Sequence, residues 1–136
     1  MKKIQKQLMY GDLVFVKPSM MPIRIAAIHR DEVGYYTPFG CELEMVQIAL
    51  LVPIPLTNVF FEKNGFTKET DIVGELWVSK DKRIIVRKGF SNMDGRDWAI
   101  HIDNEDMQSI ASGCIQFVHQ FQNKLNDAEI EMEVIL

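Results

Sequence analysis

Between Gly11 and about Pro55 the apolar residues come in short runs, each closed by turn-forming residues. Gly11-Asp12 signals a turn before Leu13-Val14-Phe15-Val16, and Pro18 to Pro22 breaks the chain before Ile23-Arg24-Ile25-Ala26-Ala27-Ile28. His29-Arg30-Asp31 turns the chain into Val33-Gly34-Tyr35-Tyr36, and Thr37-Pro38-Phe39-Gly40 is the next turn. From Cys41 to Gln47 the pattern alternates, with Glu42 and Glu44 on one face and Leu43 and Met45 on the other. Short strands recurring at roughly 8 to 12 residues predict a small, strongly bent antiparallel barrel. Such a segment buries little core, so it is expected to pack on the rest of the chain.

The joint that follows is readable in detail. Val52-Pro53-Ile54-Pro55 is extended, because each proline pushes the residue before it out of the helical region. Thr57 is placed as a helix N-cap, with Leu56 and Phe61 forming a hydrophobic staple. The short helix from Asn58 ends at Asn64-Gly65, where Gly65 takes a left-handed conformation and Phe66 folds back on Phe61. Ile72 to Val78 and Arg83 to Lys88 flank the turn Ser79-Lys80-Asp81-Lys82 as a hairpin. A loop from Gly89 to Asp97 leads into the strand Trp98 to Ile102, and an irregular stretch follows. Cys114 to Asn126 has helical periodicity, with Cys114, Val118, Phe121 and Leu125 on one stripe. Glu129 to Leu136 alternates strictly and predicts a terminal strand, Ile130, Met132, Val134 and Leu136 facing in and Glu129, Glu131 and Glu133 facing out. The expected fold is therefore α+β and mainly β: a small Src-homology-type β-barrel over residues 1–56, and an antiparallel sheet with one short and one longer helix over residues 57–136.

Composition narrows the function classes. The longest uncharged apolar run, Ile48 to Phe60, is broken by Pro53, Pro55 and Asn58, far from the ~20 residues that span a bilayer. The start Met1-Lys2-Lys3 reaches Asp12 without an extended apolar core, so no secretory signal is expected, and a cytoplasmic location is. Cys41 and Cys114 have no neighbouring cysteine, which indicates neither a disulfide framework nor a Cys-X-X-Cys metal site, and both are expected as buried thiols. The net charge of −4 divides into +2 over residues 1–68 and −6 over residues 69–136, which is not the balance of a duplex DNA binder.

Three groups of residues are candidates for chemistry. Lys80, Lys82, Arg83, Arg87 and Lys88 make the hairpin basic, and phosphate contacts need local positive surface of this kind. The competing reading pairs Arg83 and Arg87 with the acidic stripe Glu129, Glu131 and Glu133 in one sheet. Asp97, His101 and Asp103 lie on the polar face of one expected strand and combine imidazole and carboxylate, as a metal site or an acid/base pair would. Gln116, His119, Gln120 and Asn123 give the last helix a polar flank able to bind a peptide or a base edge by hydrogen bonds. Nucleophile elbows and phosphate-cradling glycine loops are absent, which lowers the expectation of an enzyme.

Gly11-Asp12, the joint Pro53-Ile54-Pro55-Leu56-Thr57, Gly65-Phe66 and Val118-His119-Gln120-Phe121-Gln122-Asn123 resemble a group of short uncharacterised proteins from prophages and mobile elements of gut bacteria. The resemblance runs nearly end to end and departs after Asn123, where Lys124-Leu125-Asn126-Asp127 replaces an aromatic stretch. It implies an accessory protein of a mobile element and brings no catalytic residue and no cofactor. The expected function is a non-enzymatic binding or adaptor module with a protein or nucleic-acid partner and no membrane contact. The basic hairpin and the polar helix flank are its contact residues. The alternatives are a metal-assisted hydrolase using Asp97, His101 and Asp103, and a structural component of a phage particle.

Overall fold

The computed structural model describes residues 8–37, 42–88 and 97–136. The chain divides into two compact units, one of Met1–Pro55 with Phe117–Asn123 and one of Leu56–Gln116 with Lys124–Leu136. Among the described residues the elements are mainly antiparallel strands with two α-helices, as the α+β, mainly-β expectation required.

In the first unit the strands are β1 (Leu13–Val16), β2 (Met21–Arg24), β3 (Ala27–His29), β4 (Glu32–Tyr36), β5 (Leu43–Gln47) and β6 (Leu51–Pro53), with a 3-10 turn at Ile48–Leu50. They form two antiparallel sheets, ordered β2-β1-β6 and β3-β4-β5, and neither closes into the expected barrel. The run Ile23 to Ile28 passes from one sheet to the other. Its Ile25 N–H donates to the Asp12 carbonyl and its Ala26 N–H to the Gly34 carbonyl, both at 2.8 Å, so the chain leaves one sheet and joins the other within one apolar stretch. Leu8, Val14, Val16, Ile23, Ile25, Val33, Ile48 and Leu51 form one buried cluster, with Ile28, Tyr35 and Val46 packed against it. In β5 Val46 alone packs on the core, while Glu44 on the same face is exposed. Val46 pairs with the fully buried Val33, which leaves Leu43 and Met45 on the outer face at 40% and 43% exposure. Register sets the buried face, and a shift of one residue reverses it.

Helix α2 (Val118–Asp127) begins within this unit. The Gln120 side chain accepts the Phe117 N–H at 3.1 Å, which is the glutamine half of a capping box. Gln122 clamps the start of β1, its amide donating to the Gly11 carbonyl at 2.9 Å and accepting the Leu13 N–H at 2.8 Å. Val118 N–H donates to the Ile54 carbonyl at 2.8 Å, and Pro55 and Phe117 form an isolated bridge.

In the second unit α1 (Asn58–Lys63) carries both caps that its sequence encodes. The Thr57 hydroxyl accepts the Phe60 N–H at 3.1 Å. At the other end Phe66 N–H reaches the Phe61 carbonyl at 3.0 Å and Gly65 N–H the Glu62 carbonyl at 3.2 Å, the two bonds of a Schellman ending, with Gly65 at φ +82°. The sheet is β11 (Ser109–Ile115), β10 (Trp98–Asp103), β9 (Ile84–Lys88), β8 (Glu75–Val78) and β7 (Thr67–Thr70), in that spatial order. One of its faces buries Trp77, Val86, Trp98, Ile100 and Ile102. Phe61 is fully buried, with its ring 4.9 Å from Trp98, 5.4 Å from Phe66 and 5.3 Å from Phe60.

Two expectations for this unit are corrected. Cys114 is not on the last helix: it lies in β11, paired with Ala99, and it is exposed rather than buried. The ladder with β10 holds this stretch, Gly113 stands at φ +157°, and the helix starts only at Val118. Cys41, the other expected buried thiol, lies outside the described residues. Glu129 to Leu136 forms no strand. Its alternation of burial survives as far as Val134, Ile130 and Met132 being half-buried and Val134 buried while Glu129, Glu131 and Glu133 are exposed, but Leu136, expected to face in, is exposed. The Asn64 carboxamide instead takes the place of a neighbouring strand for Ile135, accepting its N–H and donating to its carbonyl at 2.7 Å each.

The caps of α1 set three stability expectations. Thr57→Ala should cost about 1 kcal/mol, because one amide of the first turn loses its acceptor. Gly65→Ala should cost on the order of 1 kcal/mol through backbone strain alone, since nothing lies within 4 Å of an added Cβ. Phe61→Ala should cost about 3 to 5 kcal/mol. Urea unfolding of the variants checks all three, and a Thr57→Ala midpoint equal to that of the parent would remove the N-cap from the account.

Candidate functional site

The hairpin β8–β9 forms around the turn that the sequence indicates, but its first strand starts at Glu75 rather than Ile72, because residues 71–74 close a turn of their own, and the hairpin turn is built from its own side chains. Ser79 N–H donates to the Ile84 carbonyl and Lys82 N–H to the Ser79 carbonyl, both at 2.9 Å, with Lys82 at φ +64°. The Ser79 hydroxyl donates to Asp81 at 2.7 Å and accepts the Ile84 N–H at 3.0 Å, while Asp81 also accepts the Arg83 N–H at 3.1 Å. Partial burial opposes ionisation of Asp81, but the Ser79 and Arg83 contacts outweigh it and hold the carboxyl below the usual range. The turn is therefore a rigid platform that presents Lys80 and Lys82 to solvent.

Most of the hairpin's other cations are used internally. Arg87 grips Asp71 with both guanidinium NH groups, Nη1 to Oδ1 at 2.9 Å and Nη2 to Oδ2. The side-chain bond from Arg87 is the main cause holding the Asp71 carboxyl well below the usual carboxylate range. Asp71 also closes its own turn by accepting the Val73 and Gly74 N–H groups at 2.9 and 3.2 Å. Arg83 Nε donates to the Asp103 carbonyl at 2.9 Å, and Lys88 Nζ stands 5.7 Å from the centre of the Trp98 ring. The acid that Arg87 meets is thus Asp71 and not the stripe Glu129, Glu131 and Glu133. Among the described residues Lys80 and Lys82 make no ion pair.

Of the group Asp97, His101 and Asp103 the structure brings two members together. His101 Nε2 lies 2.7 Å from Asp103 Oδ1 on the same face of β10. Asp97, four positions back along the chain and roughly 13 Å away by strand rise, accepts a hydrogen bond from the Gln116 carboxamide instead. No group of three or more His, Cys, Asp or Glu side chains suited to a metal ion occurs among the described residues.

The polar flank of the last helix is buried or half-buried. His119 is 1% exposed and lies parallel to the Phe117 ring at 6.0 Å, and burial pushes its imidazole down to about 4. Gln116 precedes the helix and bonds Asp97, Gln120 caps the helix, and Asn123 is half-buried. The sequence reading passed over Gln122, which is the amide of this helix that fastens β1.

What sequence reasoning missed is a cavity of about 570 Å³ in the second unit. Its walls come from three separate stretches: Asn64, Gly65 and Phe66 at the end of α1, Ser79, Lys80, Asp81 and Ile84 at the hairpin turn, and Ile130, Glu131 and Met132 after α2. Phe66, Ile84, Ile130 and Met132 make an apolar interior, and Lys80 and Glu131 put opposite charges on it from the hairpin and the C-terminal segment. The only local signal was the apolar alternation of Ile130 and Met132.

Two buried titratable groups in the first unit set an expected pH dependence. Asp12 is 1% exposed, and burial, opposed by the 2.8 Å bond from the Met9 N–H, raises its carboxyl to about 7. Its contribution to stability is complete at low pH and is lost as pH rises through about 7, because the unfolded chain releases that proton earlier. His119 acts in the opposite sense: its contribution is complete above the ordinary 6.5 and is lost as pH falls through about 4. Over the shared window the two slopes oppose each other. Asp12→Asn should therefore unmask the histidine, so that the unfolding free energy of the variant, measured by urea unfolding, climbs from pH 4.5 to 6.5 by about 1 to 2 kcal/mol more than that of the parent. Parallel pH profiles for the two proteins would show that Asp12 does not titrate as described.

In comparisons with known proteins, no protein-family model, no curated protein and no solved structure matches the chain.

Proposed function

We propose that this chain is a non-enzymatic binding module that engages a protein partner at the hairpin turn Ser79–Lys82 and the cavity the turn helps to wall. The observation that carries the reading is the cavity itself. Its volume of about 570 Å³ falls within the few hundred to about 1,000 Å³ typical of ligand sites. An apolar interior with a few polar groups at its walls is the usual form of such sites. The rigid turn beside it keeps Lys80 in place without an internal partner among the described residues.

A protein partner is favoured over a nucleic acid by the charge inventory. Phosphate binding grows with the number of cations available for contact. Arg87 is held by Asp71, Arg83 by the Asp103 carbonyl, and Lys88 lies over Trp98, which leaves Lys80 and Lys82. Asp81 and Glu131 stand in the same cavity wall as Lys80. The mobile-element setting that the sequence resemblance implies is part of this proposal, with the chain as an adaptor in that setting.

Selection of random displayed peptides on the full-length protein tests the reading. Enriched peptides should lose binding to Met132→Lys, which places a charge in the apolar interior, while that variant keeps the parent's amide spectrum. Single-stranded DNA, duplex DNA and structured RNA should bind no better than the non-specific range of about 10⁻⁴ to 10⁻⁶ M at physiological salt. Tight nucleic-acid binding abolished by Lys80→Glu with Lys82→Glu would replace the protein partner by a phosphate backbone.

A further inference from the structure

Resting on the reading of this cavity as a contact site, we propose that its occupant is a basic protein segment in extended conformation. The segment inserts an aliphatic side chain between Phe66, Ile84, Ile130 and Met132, and sets lysine or arginine at alternate positions against Glu131 and Glu133.

The argument starts from the wall formed by residues 130–132. That stretch is held at both ends: Ile130 N–H donates to the Leu125 carbonyl at 2.9 Å, and Ile135 is fastened through both its N–H and its carbonyl by Asn64. Val134, 3% exposed, buries the segment's inner side. Between these anchors the inner positions Ile130 and Met132 face the cavity, while Glu131 and Glu133 are exposed. The alternation of burial from Ile130 to Val134 sets Glu131 and Glu133 on one side of the segment, and carboxylates two residues apart lie about 7 Å apart where a backbone is extended, which is also the repeat of side chains on one edge of an extended peptide. A partner with cations at that repeat relieves the repulsion between the two glutamates, and an aliphatic residue on its other edge points to the apolar interior.

Lys80, on the hairpin wall of the same cavity as Glu131, supplies the polarity of the site. It disfavours a second row of cations on the hairpin side and so fixes which edge of the segment faces which wall. Anionic occupants fit poorly, because Glu131 and Glu133, together with Asp81 held ionised below the usual range, outnumber the lysines of the turn. The inner apolar surface excludes a purely electrostatic encounter, so the occupant must carry both features.

The test uses the full chain and three fluorescein-labelled octapeptides that alternate leucine with lysine, serine or glutamate. The lysine–leucine peptide should bind most tightly, with backbone amide shifts in nuclear magnetic resonance spectra confined to 64–66, 79–84 and 130–135. Glu131→Lys combined with Glu133→Lys should weaken it by about tenfold and move the preference to the glutamate–leucine peptide. Both glutamates are exposed, so this variant is expected to fold, and its amide spectrum verifies that. Equal binding of all three peptides at the same amides would overturn the basic occupant while leaving the cavity as a peptide site. Failure of all three to bind, or shifts confined to other surfaces, would overturn both.

Discussion

The second unit depends on the packing of Phe61. Its ring is fully buried and lies within about one ring-contact distance of Phe60, Phe66 and Trp98. A six-residue helix has little stability of its own, so α1 exists because tertiary contact and two caps hold it. The Schellman ending brings Phe66 back onto Phe61, and it is this reversal that puts Asn64 where its carboxamide grips Ile135. The cavity wall after α2 is therefore positioned, through Asn64, by the same residues that close the helix.

Electrostatics in this chain is mostly structural. A run of five cations looks like an interaction surface in the sequence, yet three of them meet partners distant in the chain: Asp71 for Arg87, the Asp103 carbonyl for Arg83 and the Trp98 ring for Lys88. The same holds for the amides of the last helix, where Gln120 and Gln122 satisfy backbone groups rather than solvent. Long polar side chains at element ends are the cheapest means of satisfying orphan N–H and C=O groups. What is left for contact is the pair Lys80 and Lys82 on the turn and the glutamates that flank Met132.

Local signals were legible where one residue type answers one local need. Thr57 as N-cap, Gly65 at positive φ, the hairpin around Ser79 to Lys82 and the apolar strand from Trp98 all follow from neighbours within a few positions. Cys114 was misplaced because the stretch before α2 satisfies helical spacing as well as strand pairing, and only the ladder with β10 decides between them. Which face of β5 meets the core was not legible for the same reason: alternation states that two faces differ, not which one meets Val33.

By itself the sequence determined the class of fold and both ends of α1, because turns, caps and period-two or helical patterns act over a few residues. Only the tertiary structure decided that the first sheets stay open, that Glu129 to Leu136 forms no strand while its residues 130–132 wall a cavity, and that His119 and Asp12 are buried. Those outcomes depend on which backbone groups find partners far away in the chain, and a hydrogen bond such as that from Ile135 to Asn64 leaves no periodic mark in the sequence.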